Sequence, residues 1–282
     1  MREPNIYTDL SNADYHADRT AIGNSGLKAM RRSPAYYFGQ YLDPGKPPKK
    51  ETETAAQKFG NMAHCILFEE HAFNARYRIG PEVANKNLKA WQDFKKDCEA
   101  DGATAIDQQE YDTAHAIRNQ ALSVPDIRTA LLGAGFGEAS VYAADPVTGV
   151  RVKVRPDKMY CPFGTPDKGV ILLDGKTFDT TDEEAFGRQA ANMDYDMQAA
   201  FYSDAVGWQT KAPVLGFIFI VIENEYPFLT AQIQLDEESM ANGKRKYRRA
   251  LDSYAKCVST GIWPGPGHEL KMASIPHYKM EL

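Results

Sequence analysis

The spacing of apolar positions changes period several times along the chain. Ala139, Val141 and Ala143 alternate with Glu138, Ser140 and Tyr142, the two-residue period of a half-buried strand. DPVTG at 145–149 is a turn sequence. Val150, Val152 and Val154 then alternate with Arg151, Lys153 and Arg155, which predicts the returning strand of a hairpin. GVILLDGK at 169–176 predicts a third strand, and these three are expected in one sheet. A strongly apolar strand at 215–222 and another at 228–235 follow.

Elsewhere the apolar positions recur every three or four residues. Phe59, Ala63, Ile66 and Leu67 predict a helix over 55–70, with His64 one position further round. Further helices are expected at 87–101, 107–123, 182–191, 194–209 and 236–260. Near the start, Asn24 is expected to cap a helix running to Arg32, and Ser33-Pro34 to open a second that carries Tyr36, Tyr37, Phe38 and Tyr41. The prolines and charges of DPGKPPKKETET at 43–54 can neither continue a helix nor pack a core, so 44–54 is expected to be a flexible loop. The order predicts one α/β domain over 1–282, a central mixed β-sheet flanked by helices with an N-terminal helical elaboration.

At 43% hydrophobic and 25% charged residues, the 282-residue chain has ordinary globular usage, which argues against disorder and disulfide-stapled miniproteins. Its net charge of -5 gives no global attraction to phosphate, so contact with nucleic acid must come from local basic patches and metal ions. The four cysteines are scattered without a CxxC pair, which suggests neither a zinc ribbon nor an iron–sulfur cluster and fits reduced thiols. No apolar run resembles a signal peptide or reaches the length of a membrane span, so a cytoplasmic location is expected.

The chemistry lies in RPDK at 155–158 and, seventeen residues after Asp157, in Asp174-Gly175-Lys176. Strand alternation puts Asp174 and Lys176 on one face, and Asp157 shares the parity of Arg151, Lys153 and Arg155 if the strand persists through Pro156. Phosphodiester hydrolysis needs such a set: carboxylates to hold Mg²⁺, and a cation to stabilise developing charge. Two acids and a lysine at strand ends are as readily a solvated ion pair, and the pattern alone leaves both readings open. Gln198 and Tyr202 share a helical face, as part of such a site or as a packed tyrosine beside a surface glutamine. His64 is a metal ligand or a satisfied helical histidine, and Glu138 a third acid or an exposed charge. Arg31 and Arg32, the loop lysines Lys46, Lys49 and Lys50, and the run GKRKYRRALDSYAK at 243–256 are DNA-backbone contacts or plain solvated surface.

Taken in order, SNADYH, SGLKAMRRSPAYY, FGNMAHCILFE, EASVYAADPVTGVRVKVRPDK, LLDGKT, MQAAFYSDAVG and Trp263-Pro264 span most of the chain. Together they resemble the nuclease domain of RecE-type exonuclease VIII, of the PD-(D/E)xK (RecB-like) nuclease superfamily. The resemblance implies that His64, Asp157 and Asp174 bind the metal, that Lys176 is the catalytic lysine, and that Glu138 lies in a matching segment as a further catalytic acid. Gln198 and Tyr202 match a Q-x-x-x-Y element expected near the DNA, where Arg31, Arg32 and Arg155 are expected contacts too. It further implies Mg²⁺-dependent activity with Mn²⁺ as a substitute, and 5′-to-3′ degradation of one strand of linear double-stranded DNA to leave a 3′ tail. A ring-shaped homo-oligomer and a RecT-like single-strand annealing partner are implied as well. The chain departs from the pattern in its long connection between Asp157 and Asp174, and in Gly175, where an aliphatic residue is usual and a glycine could loosen the strand end. An endonuclease or repair nuclease on the same fold, and a non-catalytic DNA-binding module, are the alternatives.

Overall fold

The computed structural model describes residues 2–47, 54–268, 270 and 272–281. The chain opens with strand β1 (Asn5–Tyr7) and helices α1 (Asn12–Ala17), α2 (Asn24–Arg32) and α3 (Pro34–Tyr37), the last running into a π-helical turn over Phe38–Leu42. Helices α4 (Ala55–Phe68) and α5 (Glu70–Arg76) lead to β2 (Tyr77–Ile79), and α6 (Lys89–Ala100), β3 (Thr104–Ile106), α7 (Gln108–Ser123) and α8 (Pro125–Leu132) follow. Next come β4 (Gly135–Gly137), β5 (Ser140–Ala144), β6 (Arg151–Val154), β7 (Lys158–Tyr160) and β8 (Val170–Phe178). Helices α9 (Glu183–Met193) and α10 (Tyr195–Thr210), strands β9 (Val214–Glu223) and β10 (Thr230–Ile233), and the long α11 (Glu237–Thr260) complete the order. No helix among the described residues is long and apolar enough to cross a membrane. All four cysteines are free and buried.

Several helix starts follow from side-chain caps. Thr54 with Gln57 and Asp107 with Glu110 form capping boxes on α4 and α7, and Asp182 and Asp236 cap α9 and α11. The expected cap at Asn24 is displaced by one residue. Ile22 is bonded to β6 in both directions, through Arg151 O and Lys153 N at 3.0 Å each, so the chain leaves an extended bridge directly into α2 and Gly23 takes the cap position. Of the expected loop at 44–54, residues 44–47 form a turn closed by Asp43 Oδ1, which accepts from the Gly45 N–H at 2.8 Å; residues 48–53, with Lys49 and Lys50, lie outside the described residues.

The three central strands do not share one sheet. β5 and β6 pair with each other and with β1 in the order β1-β5-β6, whereas β8 belongs to a five-stranded sheet ordered β10-β9-β8-β7-β4. The link is a bend. Gly137 pairs with Lys158 and Val141 with Val154, one continuous hairpin register that passes from the larger sheet into the smaller at 138–139 and 155–157. Pro156 offers no N–H to the ladder, and Glu138 sits at φ 53°, a left-handed conformation uncommon for a residue with a side chain. The strand therefore does not persist through Pro156. Nor is β5 half-buried: the Tyr142 face, read as outward, is covered by Tyr7 and Tyr15 at ring separations of 5.5 and 6.5 Å.

The larger sheet is a septum between two apolar layers. Leu172, Phe217, Phe219 and Val221 face α2, α9, α10 and α11, while Leu173, Ile220 and Ile222 face α4, α7 and α8. Burial on both faces explains why β9 reads as a nearly unbroken apolar run. β8 and β9 are parallel, joined by the α9–α10 crossover, with Asp174 opposite Phe219; the remaining pairs are antiparallel. A smaller cluster around Trp91 and Cys98 packs α6 against the β2–β3 pair.

α11 crosses the first turn of α10 at Gly243, where a Cβ would lie 2.0 Å from Asp196 O. Gly243→Ala should therefore cost about 1–3 kcal/mol by forcing the helices apart. It should be read as a lower urea midpoint at unchanged slope. Gly187→Ala on α9, whose Cβ would meet nothing within 4 Å, should leave stability equal or slightly raised; matching losses in both variants would refute the close-approach account.

Candidate active site

The bend sets two acids opposite each other. The Glu138 N–H donates to Asp157 O at 3.0 Å, the last backbone contact before the hairpin changes sheets. β7 pairs antiparallel with β8 through Lys158 and Leu173, so Asp157 arrives beside Asp174. The long connection between the two aspartates is thus a hairpin loop, and register rather than sequence spacing sets their proximity. Where the ladder stops, the Asp157 side chain replaces it: Oδ2 accepts from the Gly175 N–H at 2.7 Å.

His64 comes from the other side, on α4. Its Nε2 lies 3.0 Å from Asp157 Oδ1 and 3.1 Å from Glu138 Oε1. Asp174 faces the opposite way from Gly175, toward α10, where Gln198 Nε2 donates to its Oδ1 at 2.6 Å and Lys176 Nζ ion-pairs with its Oδ2. The Lys176 ammonium also lies 4.7 Å from the centre of the Tyr195 ring, within cation–π range. Thus His64, Glu138 and Asp157 form one group and Asp174, Lys176 and Gln198 a second, joined through Gly175.

The electrostatics show what this arrangement lacks. Nε2 carries at most one hydrogen yet faces two carboxylate oxygens, and Glu138 Oε1 is buried without a well-directed hydrogen bond. Asp174 Oδ2 is likewise buried, held by the charge of Lys176 but not by a directed hydrogen bond. Burial, reinforced by the charge of Asp157, pushes the Asp174 carboxyl up to about 6 despite Lys176. Burial also raises Glu138. It would raise Asp157 too, but the charge and hydrogen bond of His64 hold that acid low. Burial favours neutral His64, and the carboxylates of Asp157 and Glu138 outweigh it, holding the imidazole well above its usual range. For Lys176, burial is overcome chiefly by Asp174, and its pKa rises.

The Glu138 oxygen, beside an imidazole and the Asp157 carboxylate, suits one side of a hard divalent cation site, whereas Asp174 Oδ2 is taken up by Lys176. A further acid missed by the sequence reading, Glu69, lies close: ligand atoms of His64, Glu69 and Glu138 all fall within 4.8 Å of one another. Glu69 is bridged by Arg76, with Nη2 at 2.5 Å from Oε1, so its oxygens are already partly engaged. Its position five residues after His64, inside FGNMAHCILFE, was the available signal.

Gly175 does not loosen the strand end. A Cβ there would lie 2.8 Å from Phe68 Cε2, because the Phe68 ring occupies the space an aliphatic side chain would take. Phe68 is one turn after His64 on α4, and their ring centres are 5.1 Å apart. The glycine and the phenylalanine together place the imidazole.

The other expected site residues are distributed more widely. Tyr202 packs edge-to-face on Phe217 and, with Gln198, borders a cavity of about 240 Å³ that Tyr15, Arg19 and Lys153 also line. Arg155 turns inward instead of toward a ligand: its guanidinium bonds Ser140 Oγ at 2.6 Å and Leu10 O at 2.6 Å and lies over the Tyr15 ring, tying the N-terminal segment to β5. Arg31 ion-pairs with Asp194 and Arg32 lies over Tyr36; both are at the end of α2, outside the carboxylate cluster. Lys46 donates to Gln40 O at 2.8 Å within its own turn.

If Gly175 and Phe68 are complementary in volume, Gly175→Val should destabilise the protein by about 1–3 kcal/mol, and Phe68→Leu should relieve part of the loss. A double-mutant cycle should show coupling on the order of 1 kcal/mol. Strict additivity would disprove the complementarity.

Residues 23–273 match the family described as a PDDEXK-like domain of unknown function (DUF3799). Among solved structures, the chain is similar to a protein from Eubacterium rectale described as a "putative exonuclease". That likeness covers 95% of this chain and 96% of the other, with a TM-score of 0.58 and 14% identity, and it is one of fold. Weaker similarities reach a phage-related exonuclease from Haemophilus somnus 129PT (12% identity, 65% of this chain and 91% of that one, TM-score 0.28). Another is to an alkaline exonuclease from Laribacter hongkongensis (12% identity, 68% and 97%, TM-score 0.27). A comparison with curated proteins found no match. Matched from Gly23 to Ala273 and built around the bend that joins Asp157 to Asp174, the chain belongs to the PDDEXK-like family and has the PD-(D/E)xK nuclease fold.

Proposed function

We propose that this protein is a divalent-metal-dependent DNA exonuclease of RecE type. In this reading it uses Mg²⁺, or Mn²⁺ in its place, to degrade one strand of linear duplex DNA 5′ to 3′. The 3′ tail left behind serves annealing recombination with a RecT-like partner, and the enzyme works as a ring-shaped homo-oligomer. The observation that carries the hydrolytic reading is that the His64–Glu138–Asp157 group and the Asp174–Lys176 pair lie side by side at the bend, joined through Gly175. Polarity, ring and partner rest on the ordered motif series from SNADYH to Trp263-Pro264.

In this reading Asp157, Asp174 and His64 hold the metal, with Glu138 as the adjoining acid. When bound, the ion polarises the phosphate and lowers the pKa of a coordinated water. The chain's own residues do the rest. The Gly175 N–H fixes one oxygen of Asp157 and so aims the other at the centre, and the Gln198 amide does the same for Asp174. Lys176, kept protonated chiefly by Asp174, stabilises charge that develops on the phosphate. As a cation it orients the attacking water rather than accepting its proton.

End-labelled linear duplex and a closed circle, each digested with Mg²⁺ and with EDTA, test this directly. Loss of the linear substrate from its 5′ ends, an intact circle and no reaction in EDTA are expected. Cleavage of the circle would favour an endonuclease, and inertness toward both would leave a binding module. Asp174→Ala and Lys176→Ala should each lower hydrolysis by about a hundredfold or more in protein that still folds by circular dichroism; wild-type activity in either would overturn the residue assignment.

Metal uptake should also release protons. Asp174 holds its proton up to about pH 6 and His64 holds one above its ordinary range, and both must lose them to ligate. Apparent Mg²⁺ affinity should therefore fall as the pH drops. Calorimetry in buffers of different ionisation enthalpy should show proton release near neutrality. An affinity independent of pH, with no proton release, would exclude these ligands.

A further inference from the structure

Residues 244–249 of α11 hold five cations in six positions. Three are held by acids of the surrounding fold: Lys244 by Asp204 at 2.9 Å, Lys246 by Asp194 and Asp196 at 3.0 and 2.8 Å, and Arg248 by Asp145 and Asp252 at 2.7 Å each. Arg245 and Arg249 differ. They are exposed, one helical turn apart, and have no acidic partner among the described residues; Arg245 makes only a 3.5 Å approach to Asn242 Oδ1. Both line an open cleft of about 650 Å³ between α11 and the end of α2, with Pro264–Pro266 at its edge. Arg32 faces it from the opposite wall, also without an acid among the described residues, its guanidinium 4.0 Å from the centre of the Tyr36 ring.

We propose that this cleft is a track for the DNA sugar–phosphate backbone away from the scissile bond, an inference that rests on the nuclease reading above. Three guanidinia without an acidic partner among the described residues converge here, in a chain of net charge -5. Asp194 and Asp196, the acids that pair with the cleft residues Arg31 and Lys246, are taken up by those ion pairs. Guanidinium forks match phosphate oxygens, and stacking of Arg32 on Tyr36 fixes its plane before binding. Arg245 and Arg249 are separated by about 6 Å along the helix axis, against about 3.4 Å per phosphate along one strand of a duplex, so one strand can reach both.

Continuity with the carboxylate centre favours DNA over an acidic peptide. Lys28 lies one turn before Arg31 and Arg32 on α2, donates to Met193 O at 2.6 Å, and has its ammonium 6.0 Å from the centre of the Tyr195 ring. Lys176 approaches that same ring at 4.7 Å. The ammonium groups of Lys176 and Lys28 thus flank one aromatic ring, and Lys28 lies one turn before the arginines of α2 that line the cleft. Their spacing along α2 is one that a strand leaving the site could follow.

The test is a triple variant, Arg32→Ala with Arg245→Ala and Arg249→Ala, beside Lys244→Ala as an ion-paired control on the same helix. Fluorescence anisotropy with labelled duplex in Ca²⁺ should show the triple variant binding roughly tenfold more weakly at low salt, with a log–log salt slope reduced by about 2–3. KM for DNA should rise ahead of any change in kcat, and Lys244→Ala should bind as the wild type does. An unchanged Kd and slope in a triple variant that melts normally would overturn the track while leaving the nuclease reading intact. Unchanged DNA binding with lost affinity for polyglutamate would instead assign the cleft to an acidic protein. Wild-type protein that neither binds nor hydrolyses DNA would remove both readings together.

Discussion

One hydrogen bond stands where a rung of the sheet is missing. Pro156 brings no N–H to the ladder at the bend, and beside it the Gly175 N–H donates to the side-chain carboxylate of Asp157 instead of to a backbone carbonyl. A hydrogen bond to a charged acceptor contributes about 1.5–3 kcal/mol, but its geometric effect is larger than its energy. It locks the hairpin to β8, turns the second oxygen of Asp157 toward His64, and leaves Asp174 on the opposite face of the strand, toward α10 and Gln198. The positive φ of Glu138 is the strain that accompanies this arrangement, tolerated because the register on both sides of the bend holds it in place.

The layers around the sheet serve the same centre from two directions. α4 delivers His64 and Phe68 from the layer that packs on Leu173 and Ile220, while α10 delivers Gln198 and Tyr195 from the layer that packs on Leu172 and Phe219. Three carboxylates meeting at a partly buried bend would repel one another. His64 and Lys176, one from each side, hold them together, and the pKa values of His64, Asp174 and Lys176 are all raised from those of the free side chains.

Much of this was legible in the sequence where a local rule decides the outcome. The helices near 55–68, 108–123, 183–193 and 237–260 and the alternation of 150–154 were read from local spacing, and local caps at Thr54, Asp107, Asp182 and Asp236 hold those helix starts. Asp174, Lys176, His64, Asp157 and Glu138 were identified by residue type and motif, and the structure brings them together. Three-residue strands such as β2, β3 and β4 are too short to show a period. The change of sheet at 138–139 depends on a missing N–H whose effect appears only against the partner strand. Arg155 and Tyr142 were read outward because alternation cannot see an N-terminal segment folding over the second face. Gly175 looked like a defect because a motif records one position at a time, whereas the volume is shared with Phe68, more than a hundred residues earlier.

The unbroken register of the hairpin also separates the local contacts of the site from its distant ones. Glu138 and Asp157 are brought together by the short DPVTG turn, a loop whose closure costs little entropy, whereas pairing of β8 with β9 must wait for the whole α9–α10 crossover. His64 must cross from a helix more than seventy residues before the bend. Closure entropy is therefore smaller for bringing the two acids together than for bringing the imidazole to them. The docked α4 both completes an apolar layer and relieves the charge repulsion, which couples the stability of that layer to the assembly of the site.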